Sequence, residues 1–357
     1  MNKDTSIFLD AVRFLAALAV FLGHIELIWA PGLVPFAAGI GTPAVGIFFL
    51  LSGFVIAFAV DRKETDTYSY FVNRAARVYS VVVPVLALTM TLDLAGSWLA
   101  RDIYGPLALG TWKEAIKQIL SLTFVNQVWF LNIVPGSNGP FWSLAFEVPY
   151  YLIFGLWHFG QTGRWRLFAV LALVAAGPEI ALLFLLWLAG VVTYTICTTI
   201  VLTRTAARVL LGVSLLLWAL LSRWSLHYYA QFFAAGIPFA FAIIGFSQSG
   251  LSLERWETPI RWLAGATFTL YLVHYPIGVL LQTQIPTSWP ISLRWLLFIA
   301  VVMSVTFLVA EFTERRKDAW RRLLTHLFSK TALQRFGASW RALRRRCMGL
   351  LTYRIAR

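Results

Sequence analysis

The stretch AVRFLAALAVFLGHIELIW, residues 11–29, decides the class of this protein. Apart from Arg13, His24 and Glu26, every residue in it is apolar or glycine. A helix of that length crosses a hydrocarbon core of roughly 30 Å. Similar runs recur along the 357 residues, of which 59% are apolar and 13% charged, with a mean hydropathy of +0.73. In lipid each segment must satisfy its own backbone, so continuous apolar runs specify an all-α, polytopic transmembrane helical bundle. The alternating pattern of a membrane β-barrel is absent. Ten spans are expected, at about 7–29, 43–60, 78–99, 146–160, 167–177, 180–200, 209–222, 231–248, 263–283 and 294–313. Between the third and fourth, residues 100–145 form a long connection whose amphipathic part, Trp112 to Phe124, is expected at the membrane interface.

Orientation follows from the basic residues. With both termini cytoplasmic, twenty-four of the thirty Lys and Arg residues fall on the inner segments and five on the outer ones, with Arg13 inside the first helix. The N-terminal run is expected to be retained, because a cleavable signal core would avoid Arg13 and His24. Residues 1–314 read as one transmembrane domain and 315–357 as a basic, amphipathic cytoplasmic tail suited to anionic lipid. Membrane topology accounts for the formal charge of +14, so no nucleic-acid partner is expected. Cys197 lies in an apolar helix and Cys347 in the tail, so neither a disulfide nor a metal site is expected.

Ionisable groups at bilayer depth are costly and mark function. Arg13 and His24 are eleven residues apart, three helical turns plus roughly 20°, so they share a face about 16 Å apart in depth. Asp10 stands one turn before Arg13 and can pair with it. In the second helix, Gly41, Gly46, Ser52 and Gly53 permit close backbone approach. Arg74 and Arg77, at i and i+3, suit a phosphate-rich ligand or serve as topology anchors. Trp142, Ser143 and Glu147 open the fourth helix; Ser143 is a candidate N-cap, and Glu147 is expected at the depth of His24. Tyr271 and His274 share a face of the ninth helix.

Together these stretches resemble the acyltransferase-3 family of bacterial membrane acyltransferases. The resemblance rests on Asp10, Arg13 and His24, on VGIFFLLSGF at 45–54, RAAR at 74–77, WSLAFE at 142–147 and YLVHYP at 271–276, in order over about residues 7–315. One departure is RVYSVVVP, where a proline is expected sooner after the arginine pair. The resemblance implies transfer of an acyl group, commonly acetyl, from cytoplasmic acyl-CoA to a hydroxyl of an envelope or exported glycan, in the bacterial inner membrane. It implies His24 as the catalytic residue, with Arg13, Arg74 and Arg77 handling the donor. To these the reading adds Glu147 as a second catalytic candidate and Asp10, Ser52, Gly53, Trp142, Ser143, Tyr271 and His274 in support. Donor phosphates would stay at the basic mouth while the pantetheine arm carries the thioester inward. A neutral imidazole can take the proton of a sugar hydroxyl, or can itself be acylated first.

Two other classes fit parts of the pattern. A transporter or flippase of lipid-linked sugars would explain buried polar groups, but the charges cluster in the first four helices without a counterpart in the second half. LLSGF with His274 resembles the Ser–His dyad of rhomboid proteases, a reading that leaves Arg13, His24 and the arginine pair unexplained.

Overall fold

A computed structural model describes residues 2–64, 66–107, 109–160, 163–221 and 226–328. The tail beyond Phe328, with Cys347, and the loop residue Arg223 lie outside the described residues. The helices are α1 (Lys3–His24), α2 (Gly41–Arg62), α3 (Thr67–Leu99), α4 (Arg101–Tyr104), α5 (Trp112–Leu122), α6 (Leu144–Phe159), α7 (Gly163–Ala176), α8 (Pro178–Thr199), α9 (Arg204–Leu221), α10 (Tyr228–Gln248), α11 (Glu257–Ala264), α12 (Thr267–Gln284), α13 (Ile291–Phe312) and α14 (Lys317–Leu327). Among the described residues there is no strand. Seven helical segments are long and apolar enough to cross a membrane, and α11–α12, bent by 44°, makes up to an eighth. The protein is therefore a multi-pass membrane protein. At the expected fourth and fifth spans stand α6 and α7, of 16 and 14 residues, shorter than the rest.

Two local features differ from the sequence expectation, and a third gives the amphipathic connection its form. The first helix is not uniform: α-helical bonding stops at His24, and Ile25–Trp29 forms a π-helical turn. Its cause is visible in Glu26, a buried carboxylate that accepts the backbone N–H groups of Gly32 and, at 2.9 Å, Val34, and so ties the chain reversal to the helix end. The third helix starts at Thr67, eleven residues early, because Asp66 caps it by accepting from Ser69 N at 3.0 Å; Pro84 is accommodated within it. Within the run 112–124, Trp112–Leu122 form α5, and the loop after it is pinned by two buried acids. Glu114 accepts from Gly136 N (3.0 Å), and Asp93 accepts from Ser137 N and Oγ (2.8 and 2.6 Å).

Both described chain ends reach the same end of the bundle. Lys3 pairs with Glu257 at 2.8 Å, and the Tyr68 hydroxyl donates to Thr325 O on α14 at 3.1 Å. This basic end also carries Arg261, which reaches Asp10 at 3.1 Å. The opposite end carries His24, the start of α2 and the loop between α5 and α6. At the centre α2 is wedged between α8 and α10. A Cβ on Gly53 would run into the Trp187 carbonyl, one on Gly190 into the Leu50 carbonyl, and one on Gly46 would lie 2.5 Å from Phe232 O. Gly46 and Gly53 thus serve the close approach read from the sequence; a Cβ on Gly41 would make only an ordinary contact, at 4.0 Å from Val20 Cα.

Candidate active site

Two cavities, each opening toward one end of the bundle, meet inside it. The first, about 770 Å³ including its open mouth, is lined by Arg13 from α1, Ser52 from α2, Arg74 and Arg77 from α3, and Ser143, Glu147 and Tyr151 from the start of α6. Three guanidiniums thus converge at one mouth, and each is answered differently. Arg13 is paired with Asp10 at 3.4 Å, as the spacing predicted. Arg74 is held by Glu64 at 2.7 Å and lies over the Tyr70 ring, while its Nε has no partner. Among the described residues Arg77 forms no ion pair within 4.0 Å, although Glu147, Glu314 and Asp10 surround it at longer range. Guanidiniums left incompletely matched form a ready site for a polyanion.

Glu147 and Ser52 belong to this first cavity. The Trp187 indole N–H donates to Ser52 Oγ (3.1 Å), Ser52 donates to the Tyr151 hydroxyl (3.3 Å), and Tyr151 donates to Glu147 in a short bond. This chain of donors ends on a carboxylate facing Arg77, and Glu147 does not line the cavity that holds His24. Ser52 and His274 are not bonded to each other, so the Ser–His dyad does not form. Glu314, which sequence reasoning passed over, accepts from Phe268 N and Thr269 N (2.9 and 3.1 Å) and so caps α12 beside the arginines.

The second cavity is lined by Gly23, His24, Trp142, Tyr228, Tyr271 and Tyr275 among others, with no Asp, Glu, Lys or Arg. His24 Nδ1 lies 3.0 Å from His274 Nε2, and His274 Nδ1 lies 2.9 Å from Leu270 O. A carbonyl only accepts, so His274 Nδ1 carries the proton and its Nε2 accepts. The His24 Nδ1–H then donates to it, and His24 Nε2 is left with its lone pair. This pairing spans 250 residues and was invisible in the sequence, where the two histidines stood as separate candidates. Tyr275 packs edge-on against His24, and Trp29 of the π-turn packs against both His24 and Tyr275.

Tyr271 and Val45 line both cavities. The Tyr271 hydroxyl is 2.8 Å from Ser143 Oγ, so this pair stands where the two cavities adjoin. Ser143 does not act as the expected N-cap. It is the last residue of a 3-10 turn (Gly139–Ser143) with helical dihedrals, makes no capping bond, and spends its hydroxyl on Tyr271 and Pro140 O. That turn is positioned by Asn138, which donates to Thr89 Oγ1 (3.2 Å) and to Leu272 O (3.0 Å) on α12. Among the described residues no group of three His, Cys, Asp or Glu side chains is gathered for a metal ion.

Comparison with known proteins bears on this arrangement. A family model described as an acyltransferase domain matches residues 6–311. The acyltransferase MdmB of Streptomyces mycarofaciens is 32% identical over 160 residues, covering 42% of this chain and 38% of the relative. The peptidoglycan O-acetyltransferase OatA of Listeria monocytogenes is 23% identical over 358 residues, 86% of this chain and 54% of the relative. The exopolysaccharide production protein ExoZ of Rhizobium meliloti is 30% identical over 154 residues, 40% of this chain and 43% of the relative. The matches thus cover about half or less of each relative's length. No solved structure matches the chain.

Proposed function

Because the chain belongs to the acyltransferase-3 family, we propose that it moves an acyl group, acetyl in the simplest case, from acyl-CoA to a hydroxyl of a cell-envelope or exported glycan. One observation carries the reading: a cavity of converging arginines and a cavity holding a hydrogen-bonded histidine meet at Tyr271. The basic end faces the cytoplasm of a bacterial inner membrane in this reading, which matches the excess of Lys and Arg there. Arg13, Arg74 and Arg77 hold the phosphates of acyl-CoA at the mouth, where a coenzyme too polar for lipid can bind. Glu147 and Glu314 position Arg77 rather than reacting. The pantetheine arm passes Tyr271 and Val45 and brings its thioester toward His24.

His274 and the Leu270 carbonyl hold His24 in the tautomer whose Nε2 is free. That nitrogen takes the acceptor hydroxyl proton as the oxygen attacks the thioester carbonyl. The carbon–sulfur bond then breaks, the thiolate leaves and takes the proton back from the imidazolium, and ester and free coenzyme result. Tyr271 and Ser143, at the junction, are placed to donate to the oxyanion. In this reading α14, with its exposed Leu323 and Leu327, rests on anionic lipid.

The test is mass spectrometry of envelope and secreted glycans from the source cell after deletion, wild-type complementation and His24→Ala complementation. The reading expects an alkali-labile acyl group that is lost on deletion and restored only by intact His24. Full restoration by His24→Ala at equal protein level would remove His24 from the chemistry. Unchanged acylation with altered glycan export would point to a transporter.

A further inference from the structure

A third opening, of about 1100 Å³ including its open face, lies at the His24 end between the loop after α5 and the starts of α8 and α10. It shares Trp142 and Tyr228 with the histidine cavity, so it continues that cavity toward the surface. Its walls carry Trp129, Phe130, Tyr228 and Tyr229 with the carboxylate of Glu179, at which the Tyr229 hydroxyl is directed. Trp129 and Phe130 in the loop and Tyr228 at the start of α10 are 45%, 89% and 48% exposed, so their rings are open to an occupant.

The loop is held in one conformation. Trp129 has a left-handed backbone, φ 55°, unusual for a bulky residue. Its N–H donates to Ala176 O at 3.2 Å, and Gly177, itself at φ 100°, lies so close that a Cβ there would sit 2.8 Å from Trp129 N and Cα. The same turn leads into α8 and places Glu179. Strain of this kind persists only where the surroundings enforce it, and it collects at ligand clamps. Flat aromatic faces with a nearby carboxylate suit a pyranose ring: the apolar face of the sugar stacks on the ring, and its hydroxyls donate to the acid.

We propose that this cleft is the acceptor-binding site, seating a pyranose-containing glycan chain on Trp129 and Tyr228, with Glu179 accepting its hydroxyls, and delivering one hydroxyl past Trp142 to His24. The assignment rests on the acyltransferase reading and adds to it the residues that choose the acceptor. The chemistry excludes a purely apolar occupant, because a lipid tail gains nothing from Glu179.

The test uses membranes containing the full chain with Trp129→Ala, Trp129→Phe or Glu179→Gln. The acceptor is the source cell's own envelope polysaccharide stripped of esters by alkali. Two quantities are read, KM for that polysaccharide and the acceptor-free hydrolysis of acetyl-CoA. Glu179→Gln is expected to raise KM by about tenfold or more, the scale of one lost hydrogen bond to a charged group, and Trp129→Ala by up to about tenfold through the lost stacking face. Hydrolysis should stay within about twofold, and Trp129→Phe, which keeps a ring, should recover part of the loss. An unchanged KM overturns the assignment. So does a parallel fall in hydrolysis, which marks a structural role, and so does sensitivity to Phe130→Ser without sensitivity to Glu179→Gln, which marks a lipid site. Wild-type membranes that acylate nothing would sink the transferase reading itself, an outcome separate from all of these.

Discussion

The two cavities that meet at Tyr271 solve opposite problems. Around Arg13, Arg74 and Arg77 charge is concentrated and then nearly balanced: Asp10, Glu64, Glu147 and Glu314 arrive from four separate segments, yet Arg77 stays without a close partner. Around His24 no formal charge lines the wall; the polar group is a neutral ring pair packed among Trp29, Tyr271 and Tyr275. Formal charge is kept where a polyanion can reach it, and the histidine pair is kept among aromatic rings. Chemistry that needs both must let a long, thin substrate bridge them.

Substitutions can break that contrast or sharpen it. The largest effect belongs to His24→Ala, which should lower acyl transfer by about 10²–10⁴-fold while binding of the donor, followed by isothermal titration with a non-hydrolysable acyl-CoA thioether, stays intact. Loss of donor binding in that variant would merge the two cavities into one function. Arg77→Ala should do the reverse, raising donor KM by about ten- to hundredfold, the value of one or two charge-assisted bonds. Arg77→Lys should recover little, because an ammonium cannot reproduce the planar fork. Gly190→Val supplies a control at a position that lines neither cavity. Its side chain meets the α2 backbone at Leu50, costing about 1–3 kcal/mol of stability, read as a lower unfolding temperature in detergent with the ratio of donor and acceptor KM values unmoved.

A finer probe is His274→Gln, which keeps an acceptor for the His24 N–H. Its kcat should fall by about tenfold, and that of His274→Leu by more, as expected for groups that orient a reacting ring. Equal losses in the two would mean that His274 packs rather than orients. The smallest effect is expected for Lys3→Ala. The Lys3–Glu257 pair lies at the surface, where solvent screens it, so its loss should leave the unfolding temperature in detergent and both KM values unchanged.

The multi-span helical architecture was legible because an apolar run of twenty residues has few other uses, though seven helical segments, or up to eight, rather than ten are long and apolar enough to cross among the described residues. Arg13 and His24 stood out because polar groups in such a run are conspicuous. Helical phase also paired Asp10 with Arg13 correctly, one turn apart. What stayed hidden was every contact made across the bundle. His274 reads as one polar residue in YLVHYP, and nothing local says that it meets His24. Glu314 sits at the end of an apolar run among basic residues, where it passes for a topology signal; only the fold shows it capping α12. Ser143 carried a local signal, the N-cap, that tertiary structure overrode when Tyr271 took its hydroxyl. Depth along a helix predicted that Glu147 would accompany His24. Its direction around the helix placed it with Arg77 instead. Glu26 did announce itself, as an acid in the opening apolar run, and its use in holding the chain reversal could have been suspected from Gly32 just beyond.

The Tyr271–Ser143 pair is also an electrical matter. A bundle with a polar cavity open at each end is most of the way to being an ion channel, and a bore wide enough for a pantetheine arm would pass sodium ions and protons. Each unit charge falling through 100 mV releases about 2.3 kcal/mol, so a standing leak would drain the potential that the host membrane maintains. A seal made of two side-chain hydroxyls and a valine, flanked by helices in backbone contact through Gly46, Gly53 and Gly190, needs no rearrangement of the bundle to open. In the proposed reaction the pantetheine arm would part this pair and fill the gap it opens, which would keep the bundle sealed during turnover.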